Sequence, residues 1–394
     1  MSQDYDIQLR QAWERFCDEL KSAGDAAFRD MAPGNPVDRS SAVRLLSRNI
    51  ALALAFEFEN KDPLHPELLH YFDPLRKQGG DNTDALYVGA PINGTDTYCV
   101  SGKRGSSKYF SVTIVERGDT PWGGGVAAML FGDQIETDAD GNFELYLSPT
   151  PQPGNWIKTT PETFRVTFRQ FFADWENESP MEAGIDCLTG DGAPPPVLTP
   201  EAVAEGLAGA AHWLNWSVTY WAEMIEKWKA QPNRFISYRQ IEDKKIDAAP
   251  GGLPLISYWM LPPDEALIVR VRPPVAQYWA VEFGNYWWET MDYRYRLAST
   301  NCHHAVLEDD GELILVVSHD DPGLPNWLDP SGHSEGYITF RWMLAQTHPV
   351  PEAEQVKRAA LFDHLPGNAK RITPEGRREQ LAGRRRGVIK RFKW

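Results

Sequence analysis

The sequence predicts an α+β protein that is mainly β, with two jelly-roll-like or sandwich-like β units, a helical N-terminal cap and a connecting helix. Two segments carry apolar residues at helical spacing, and in two other segments apolar and polar residues alternate, as in a strand. The two strand-rich segments also match each other in residue order and spacing. At 394 residues, the chain is long enough for two or three domains.

The N-terminal region, residues 1–80, begins with predicted helices. Its apolar residues recur three and four positions apart, as Leu9, Trp13, Phe16 and Leu20 and then Val43, Leu46, Ile50 and Leu54. This spacing gathers apolar side chains on one face of a helix. We therefore expect a helical cap that packs this face against the rest of the protein.

The first β unit is predicted over residues 81–180. Apolar residues alternate there with a period near two, and Asn93-Gly94 and Gly123-Gly124-Gly125 supply turns between the strands. The glycine run lacks the following Lys-Ser/Thr of a phosphate-binding loop, so we expect no nucleotide cofactor.

A linker with a long helix is predicted over residues 181–250, and the second β unit over 251–355. Thr199-Pro200-Glu201 has the order of an N-cap, an N1 proline and an early acid, and one apolar stripe continues to Gln231. Strand-like alternation returns after the linker, so the helix connects the two β units.

The C-terminal tail, residues 356–394, is basic, whereas the whole chain has a formal net charge of −15. The acidic balance repels nucleic acid and anionic lipid, so we expect neither as a partner. We expect the tail to be a solvated helix end or a contact in a homo-oligomer. The N-terminus lacks the features of a secretory signal, which favours a cytoplasmic protein.

The two β units are predicted to be diverged copies of one unit. Three pairs of segments match: Asp140–Ser148 with Asp310–Ser318, Asn155-Trp156 with Asn326-Trp327, and Phe168-Arg169 with Phe340-Arg341. Matching order, spacing and residue type over this length indicate a duplication. We therefore expect the same β topology in both units.

These matching segments resemble a bacterial family known as domain-of-unknown-function family 1214. The resemblance continues through Tyr278-Trp279, Asn285-Tyr286-Trp287 and Asp292-Tyr293-Arg294, and it covers most of residues 85–350. It implies a jelly-roll-like β fold and no agreed activity.

The densest candidate for a ligand site is an aromatic segment over residues 278–303. Aromatic rings offer flat apolar walls, and polar side chains between them can orient a ligand. The predicted ligand-binding residues in and beyond this segment are Tyr278, Trp279, Asn285, Tyr286, Trp287, Tyr293, Asn301, Asn326, Trp327, His333 and Arg341. Arg341, Asn326 and Trp327 have counterparts in the first copy, which also fits a structural role.

The candidate catalytic residues are His319, His303, Asp292 and Arg294. His319 ends a predicted strand beside two aspartates, where carboxylates would orient an imidazole and make it more basic. His303, His319 and His333 suggest a metal site as an alternative, but neither they nor the four scattered cysteines have ligand spacing. We therefore expect no metal and no cofactor.

Three functions are compatible with these residues. The first is a cofactor-independent enzyme that acts on a hydrophobic or aromatic small molecule by acid–base chemistry, as a lyase, dehydratase, isomerase or hydrolase. The second is a non-catalytic protein that binds a small molecule or a carbohydrate, and the third is a metal-dependent enzyme. Because the histidines belong to the second copy alone, we expect function to reside in that copy.

Overall fold

The computed structural model describes residues 2–237, 250–252 and 254–393. These ranges contain four α-helices: α1 (Ser2–Gly24), α2 (Pro36–Leu54), α3 (Pro200–Lys229) and α4 (Pro374–Phe392). Shorter helical turns are Asp25–Phe28, Gly132–Gln134 and Arg358–His364, and a π-helical turn, Ala55–Glu59, continues α2. Within the described ranges, no helix has the length and apolar character needed to cross a lipid bilayer.

Three of the four α-helices begin with a capping side chain followed by proline. The side chains of Asn35, Thr199 and Thr373 each accept a backbone N–H from the first turn of α2, α3 and α4. The cap satisfies an N–H that has no partner within the helix, and proline needs none. The connecting helix therefore begins where the sequence predicts it.

The first β unit contains nine strands in two sheets. They are β1 (Leu69–His70), β2 (Ala85–Pro91), β3 (Tyr98–Lys103), β4 (Tyr109–Glu116), β5 (Gly125–Phe131), β6 (Asn142–Ser148), β7 (Asn155–Lys158), β8 (Thr163–Phe171) and β9 (Glu182–Cys187). One sheet has the order β1-β2-β8-β4-β5, and the other has the order β7-β6-β3-β9. The β6–β7 pair is parallel, and the other pairs described in this unit are antiparallel.

The second β unit repeats this arrangement strand for strand. Its strands are β10 (Ile236–Ser237), β11 (Leu255–Met260), β12 (Glu265–Val271), β13 (Tyr278–Asn285), β14 (Ser299–Asn301), β15 (Leu313–Ser318), β16 (Trp327–Leu328), β17 (Glu335–Met343) and β18 (Glu352–Lys357). The sheet orders are β10-β11-β17-β13-β14 and β16-β15-β12-β18. Each strand takes the place of the strand nine numbers earlier, so the mainly β fold with two copies is confirmed.

The predicted region boundaries fall close to these strands. Strand β9 begins two residues after the predicted end of the first unit at residue 180, and β18 continues past residue 355. Residues 238–249 of the predicted linker lie outside the described residues.

Each unit buries the inner faces of its two sheets and also the outer face of its five-stranded sheet. Phe110 and Val112 of β4 join the apolar core between the sheets. Thr113, on the opposite face of β4, is also buried. The outer faces of the two five-stranded sheets meet through contacts such as that of Phe171 with Tyr278, whose ring centroids lie 5.4 Å apart. The two units therefore pack against each other.

The N-terminal helices form the predicted helical cap and pack against the connecting helix α3. The ring of Trp288, in the second unit, lies 4.8 Å from Trp221 and 4.5 Å from Trp228 of α3. Near the first unit, Phe56 packs 5.9 Å from Trp213 of the same helix. Trp213 also lies 5.6 Å from Trp122 of the first unit, so α3 contacts the cap and both β units.

The expectation of a solvated helix end at the C-terminal tail holds for one side of the helix, where Arg378, Arg385 and Arg386 are exposed, and it is wrong for the opposite side. The tail forms α4, and Arg377, Arg384 and Arg391 of this helix are buried. These three arginines are spaced seven residues apart, so they lie on one helix face. The guanidinium of Arg377 stacks 5.3 Å from the Trp327 ring, and those of Arg384 and Arg391 stack 4.4 and 4.6 Å from Trp175. The basic face packs on aromatic rings of the protein itself.

Candidate functional site

The aromatic loop between β13 and β14 lies under the helical cap. Asn285 shapes the loop, because its Oδ1 accepts the backbone N–H of Trp287 at 3.0 Å. The indole N–H of Trp287 donates to the backbone oxygen of Asp38 at 2.8 Å, and the hydroxyl of Tyr286 donates to Glu226 at 3.1 Å. These three predicted ligand-binding residues therefore have partners in the loop itself and in α2 and α3.

The other predicted aromatic residues of this segment are also buried. The hydroxyl of Tyr278 donates to the Asp84 carboxylate at 2.6 Å, and Trp279 belongs to the apolar core. The ammonium of Lys77 lies 4.6 Å above the ring of Tyr293. Tyr278 and Tyr293 thus contact the segment that contains Lys77 and Asp84, and Trp279 packs in the apolar core.

The three predicted histidines face different partners. His303 is half exposed, with its Nε2 3.7 Å from the carboxylate of Asp174. The Nε2 of His319 lies 3.4 Å from a backbone carbonyl oxygen, and the Nδ1 of buried His333 lies 2.6 Å from Asp38. Among the described residues, no group of three His, Cys, Asp or Glu side chains is arranged to hold a metal.

Asp292 and Arg294 bind each other. The Nε and Nη2 atoms of Arg294 donate to the two carboxylate oxygens of Asp292, each at 2.8 Å. Burial opposes the charged form of Asp292, but the hydrogen bonds and charge of Arg294, together with the charge of Lys77, lower the pKa of the carboxyl overall. The pair is therefore charged and engaged internally.

Arg341 also has a partner within the sheet. It donates to both oxygens of Glu282 at 2.7 and 3.0 Å, and burial raises the pKa of Glu282 to about 7 against the opposing effect of this arginine. In the first copy, Arg169 donates to Thr113 at 2.8 Å from the equivalent strand. The shared arginine thus spans the same two strands in both units, which is the structural role left open above.

A buried polar segment, residues 77–84, passes between the two units and was not predicted as a site. The ammonium of Lys77 donates to the backbone oxygen and the hydroxyl of Thr290 at 2.7 and 2.9 Å. Asp81 accepts the hydroxyl of the same threonine at 2.6 Å. Burial lowers the pKa of Lys77 to about 8, although Asp81 opposes this shift.

The same segment ends in a buried carboxylate, Asp84. It accepts hydrogen bonds from the indole of Trp175 at 2.9 Å, from the hydroxyl of Tyr278 at 2.6 Å and from the amide of Asn301 at 2.9 Å. Burial raises the pKa of Asp84, and the hydrogen bonds from Tyr278 and Asn301 together with two arginines of α4 act against that shift. Asn301, another predicted ligand-binding residue, thus helps to join the two units.

Asn326 and Trp327 hold a loop, as their counterparts do in the first copy. The amide of Asn326 donates to the backbone oxygens of Val306 and Ile314 at 2.7 and 3.2 Å. The amide of Asn155 makes the equivalent pair of hydrogen bonds, both at 2.9 Å. Residues shared by both copies therefore maintain the scaffold.

A pocket of about 400 Å³ lies between the second β unit and α4, and we call it the α4 pocket. It is lined by Glu176, Leu297, Ser299, Thr300, His304, Pro325, Asn326, Trp327, Leu328, Gly376, Glu379, Gln380, Gly383, Arg384 and Arg386. Cavities of this size are common small-molecule sites. The pocket combines the end of the predicted aromatic segment with the Asn-Trp loop of the second copy.

Two polar atoms at the α4 pocket have no hydrogen-bond partner among the described residues: the Nε2 of His304 and the Nε of Arg384. The other two nitrogens of Arg384 donate to the backbone oxygen and hydroxyl of Ser299 at 3.1 and 2.7 Å. Burial lowers the pKa of His304 to about 3, and the charge of Arg384 adds to this shift. The imidazole is therefore neutral near neutral pH.

The charged residues at the rim of the α4 pocket pair with one another. Arg386 donates to Glu176 at 2.6 Å and to Glu379 at 2.7 Å.

His303 was predicted as a site residue, whereas its neighbour His304, which lines the α4 pocket, was not. Asn301 accepts both backbone N–H groups, of His303 and of His304, so the chain turns there and sends one ring to solvent and the other toward Trp175. The turn and the contact with Trp175 distinguish the two rings.

Comparison with known proteins identifies relatives but no activity. The family described as "Protein of unknown function (DUF1214)" matches residues 82–174 and 266–347, one range in each β unit. A crystal structure of an uncharacterized protein from Burkholderia cenocepacia is similar at 34% identity, covering 90% of this chain and 99% of that one, with a TM-score of 0.85. The VPA0106 protein from Vibrio parahaemolyticus matches at 13% identity over 80% of this chain and 98% of that one, with a TM-score of 0.45. No curated protein matches the chain.

Proposed function

Since the chain belongs to the family described as Protein of unknown function (DUF1214), whose description names no activity, we propose from the geometry that it binds a small molecule in the α4 pocket. The observation that supports this proposal is the pair of buried nitrogens at the pocket, the Nε2 of His304 and the Nε of Arg384, without partners among the described residues. A buried polar group that lacks a partner costs about 1–3 kcal/mol, and a ligand that supplies the partner recovers this free energy.

The ligand is an uncharged, partly apolar molecule with a carbonyl oxygen. Two carboxylates and two guanidinium groups line the pocket, so their charges balance. The Nε–H of Arg384 requires an acceptor, which a carbonyl oxygen provides. Leu297, Leu328 and the ring of Trp327 offer apolar contacts to the rest of the molecule.

Binding explains this pocket better than catalysis there. With a pKa of about 3, His304 is a weak base near neutral pH. The carboxylates of Glu176 and Glu379 are both paired with Arg386. The groups that line the pocket therefore suit hydrogen bonding to a ligand more than proton transfer.

One observation favours the second candidate, an acid–base enzyme that acts on a hydrophobic or aromatic molecule. Buried Glu282 and Lys77 have pKa values of about 7 and about 8, which suit proton transfer near neutral pH. This function requires substrate to reach the space between the β units. Turnover of a compound from an aryl and terpenoid panel, with an approximately 10²-fold or greater loss in Glu282→Gln, would favour it.

The binding proposal is tested by calorimetric titration of the full chain with neutral aryl ketones, terpenoid ketones, amides and sugars. We expect a carbonyl compound to bind, and His304→Phe to weaken its binding by roughly 2- to 12-fold through loss of one hydrogen bond. Phenylalanine keeps the ring that packs 5.6 Å from Trp175. The matched control is His303→Phe, at the half-exposed neighbour, which should leave the affinity unchanged.

Gly383→Leu provides an independent test, because it places a side chain in the pocket wall. Replacement of a helix-interior glycine favours folding by roughly 0.5–1 kcal/mol, so a folded protein is expected. The new Cβ lies 3.2 Å from a carboxylate oxygen of Glu176, at the end of an exposed side chain. Loss of binding supports the α4 pocket as the site, whereas unchanged binding in this variant contradicts the proposal.

A further inference from the structure

A second pocket, of about 380 Å³, lies in the first β unit, and we call it the Arg165 pocket. It is lined by Phe56, Glu57, Asn60, Lys61, Pro63, Tyr71, Ala90, Pro91, Ile92, Arg117, Gly118, Thr120, Pro121, Phe164 and Arg165. These residues come from the turn after α2, the end of β1, the end of β2, the loop after β4 and the start of β8. None of them lines the α4 pocket.

Arg165 lies among aromatic rings. Its guanidinium carbon is 4.9 Å from the ring centroids of Phe56 and Phe164, 5.7 Å from that of Tyr71 and 5.5 Å from that of Trp122. Rings stabilise a cation through their negative faces, but they accept none of its strong hydrogen bonds. The guanidinium is therefore positioned without being neutralised.

Among the described residues, Arg165 has no carboxylate partner, and its buried Nη1 has no hydrogen-bond partner. The carboxylate on the pocket wall belongs to Glu57, and it pairs with Lys61 at 3.0 Å. A planar guanidinium presents several N–H groups in a fork that matches the two oxygens of a carboxylate. The Nη1 of Arg165 is therefore available to donate a hydrogen bond to an anionic acceptor from outside the protein.

The net charge of the pocket lining also favours an anionic ligand. Arg165, Arg117 and Lys61 contribute three positive charges against one negative charge from Glu57, which leaves a net charge of +2. The rings of Phe56, Tyr71 and Phe164 supply apolar walls beside the cation. The pocket therefore combines an anion-binding group with a surface for an apolar body.

We propose that the Arg165 pocket binds a small organic monocarboxylate, with the carboxylate on Arg165 and the apolar body against the aromatic walls. This site is independent of the function proposed for the α4 pocket. It belongs to the first copy alone: Arg165 pairs with Val115 across the sheet, and the equivalent residue of the second copy, paired with Gly284, is Tyr337. The duplication has kept the strand and changed the side chain that would receive the ligand.

Calorimetric titration of the full chain with benzoate, phenylacetate and hexanoate tests this proposal, with benzamide, phenylacetamide and hexanamide as uncharged analogues. We expect saturable binding of at least one carboxylate and at least about 10-fold weaker binding of its amide, because hydrogen bonds between charged groups are worth more than neutral ones. Inorganic phosphate serves as the probe of anion binding without an apolar body, and we expect it to bind more weakly than the carboxylate.

Three variants identify the pocket. Arg165→Met keeps an unbranched apolar stem against the rings and should weaken carboxylate binding at least about 10-fold. Glu57→Gln removes the only carboxylate of the lining and should strengthen binding, which a merely structural role would not produce. The matched control is Arg104→Met, because Arg104 also stacks on a ring, 5.0 Å from Phe110, but does not line the pocket.

Several outcomes would overturn the proposal. They are an absence of saturable binding by all three carboxylates, equal affinity for a carboxylate and its amide, and phosphate binding as tight as that of benzoate. Unchanged affinity in folded Arg165→Met would also overturn it. If Arg165→Met does not fold, the sign of the Glu57→Gln effect decides, since weaker or unchanged binding in that variant contradicts an anionic ligand in this pocket.

Discussion

His304 should make the protein sensitive to mild acid, and His304→Phe should remove that sensitivity. The imidazole packs against Trp175 in the wall of the α4 pocket, and burial beside Arg384 lowers its pKa from 6.5 to about 3. Between these two values the unfolded chain binds a proton at His304 and the folded protein does not. The free energy of unfolding therefore decreases as the pH falls through this window.

The magnitude follows from the distance to the unfolded pKa. A pH of about 5 lies about 1.5 units below the pKa of His304 in the unfolded chain, and each pH unit corresponds to roughly 1.36 kcal/mol. Holding the imidazole neutral thus lowers the free energy of unfolding by about 2 kcal/mol at pH 5 relative to pH 7. Phenylalanine keeps the ring and does not titrate, so the variant lacks this contribution.

Denaturant unfolding of wild type and His304→Phe at about pH 7 and about pH 5 measures the effect. At each pH, the free energy of unfolding of wild type is subtracted from that of His304→Phe. Other groups contribute to both proteins alike, so the change in this difference between the two pH values reports on His304. We expect this change to be about 2 kcal/mol in favour of the variant at the lower pH. His303→Phe, at the half-exposed neighbour, should show little change. If the difference in free energy of unfolding between wild type and His304→Phe is the same at both pH values, the imidazole is not desolvated, and its place in the wall of the α4 pocket is wrong.

Three further predictions concern the scaffold and metal content. Glu282→Gln should lower the free energy of unfolding by about 3–5 kcal/mol, because it leaves the buried guanidinium of Arg341 without its carboxylate; a change below about 1 kcal/mol would contradict this pairing. Arg169→Ala should lower the melting temperature and leave ligand binding unchanged, so lost binding in a folded variant would place this arginine in a site. Protein purified without chelator or nickel should contain no stoichiometric metal by elemental analysis, and one tightly held zinc or iron per chain would contradict this expectation.

The duplicated architecture could be predicted because it depends on local patterns. Turn residues, strand alternation and the paired Asn-Trp and Phe-Arg segments recur at matching positions, and both copies build the same strand order. The start of α3 could be predicted for the same reason, since Thr199 and Pro200 act within the first helical turn. Such signals need no knowledge of distant parts of the chain.

The candidate sites depend on contacts between distant segments, which residue spacing does not reveal. Residues 77–84 have the polar composition of a surface loop, yet Lys77 and Asp81 are buried because the second unit supplies Thr290 as their common partner. The aromatic segment has the composition of a binding surface, yet Trp287 donates to a backbone oxygen in α2. In both cases the partner lies more than 200 residues away in the sequence.

The sequence by itself determined the class of fold, the duplication, the capped helices and the residues that both copies need for their loops, because these follow from periodicity and from short-range hydrogen bonds. Only the tertiary structure decided which polar groups lack partners. Packing against Trp175 placed the Nε2 of His304 in the interior while His303 stayed half exposed, and the rings around Arg165 enclosed a cation without a carboxylate. Burial and pairing are properties of the whole packed chain, and they select the side chains that remain available to bind a ligand.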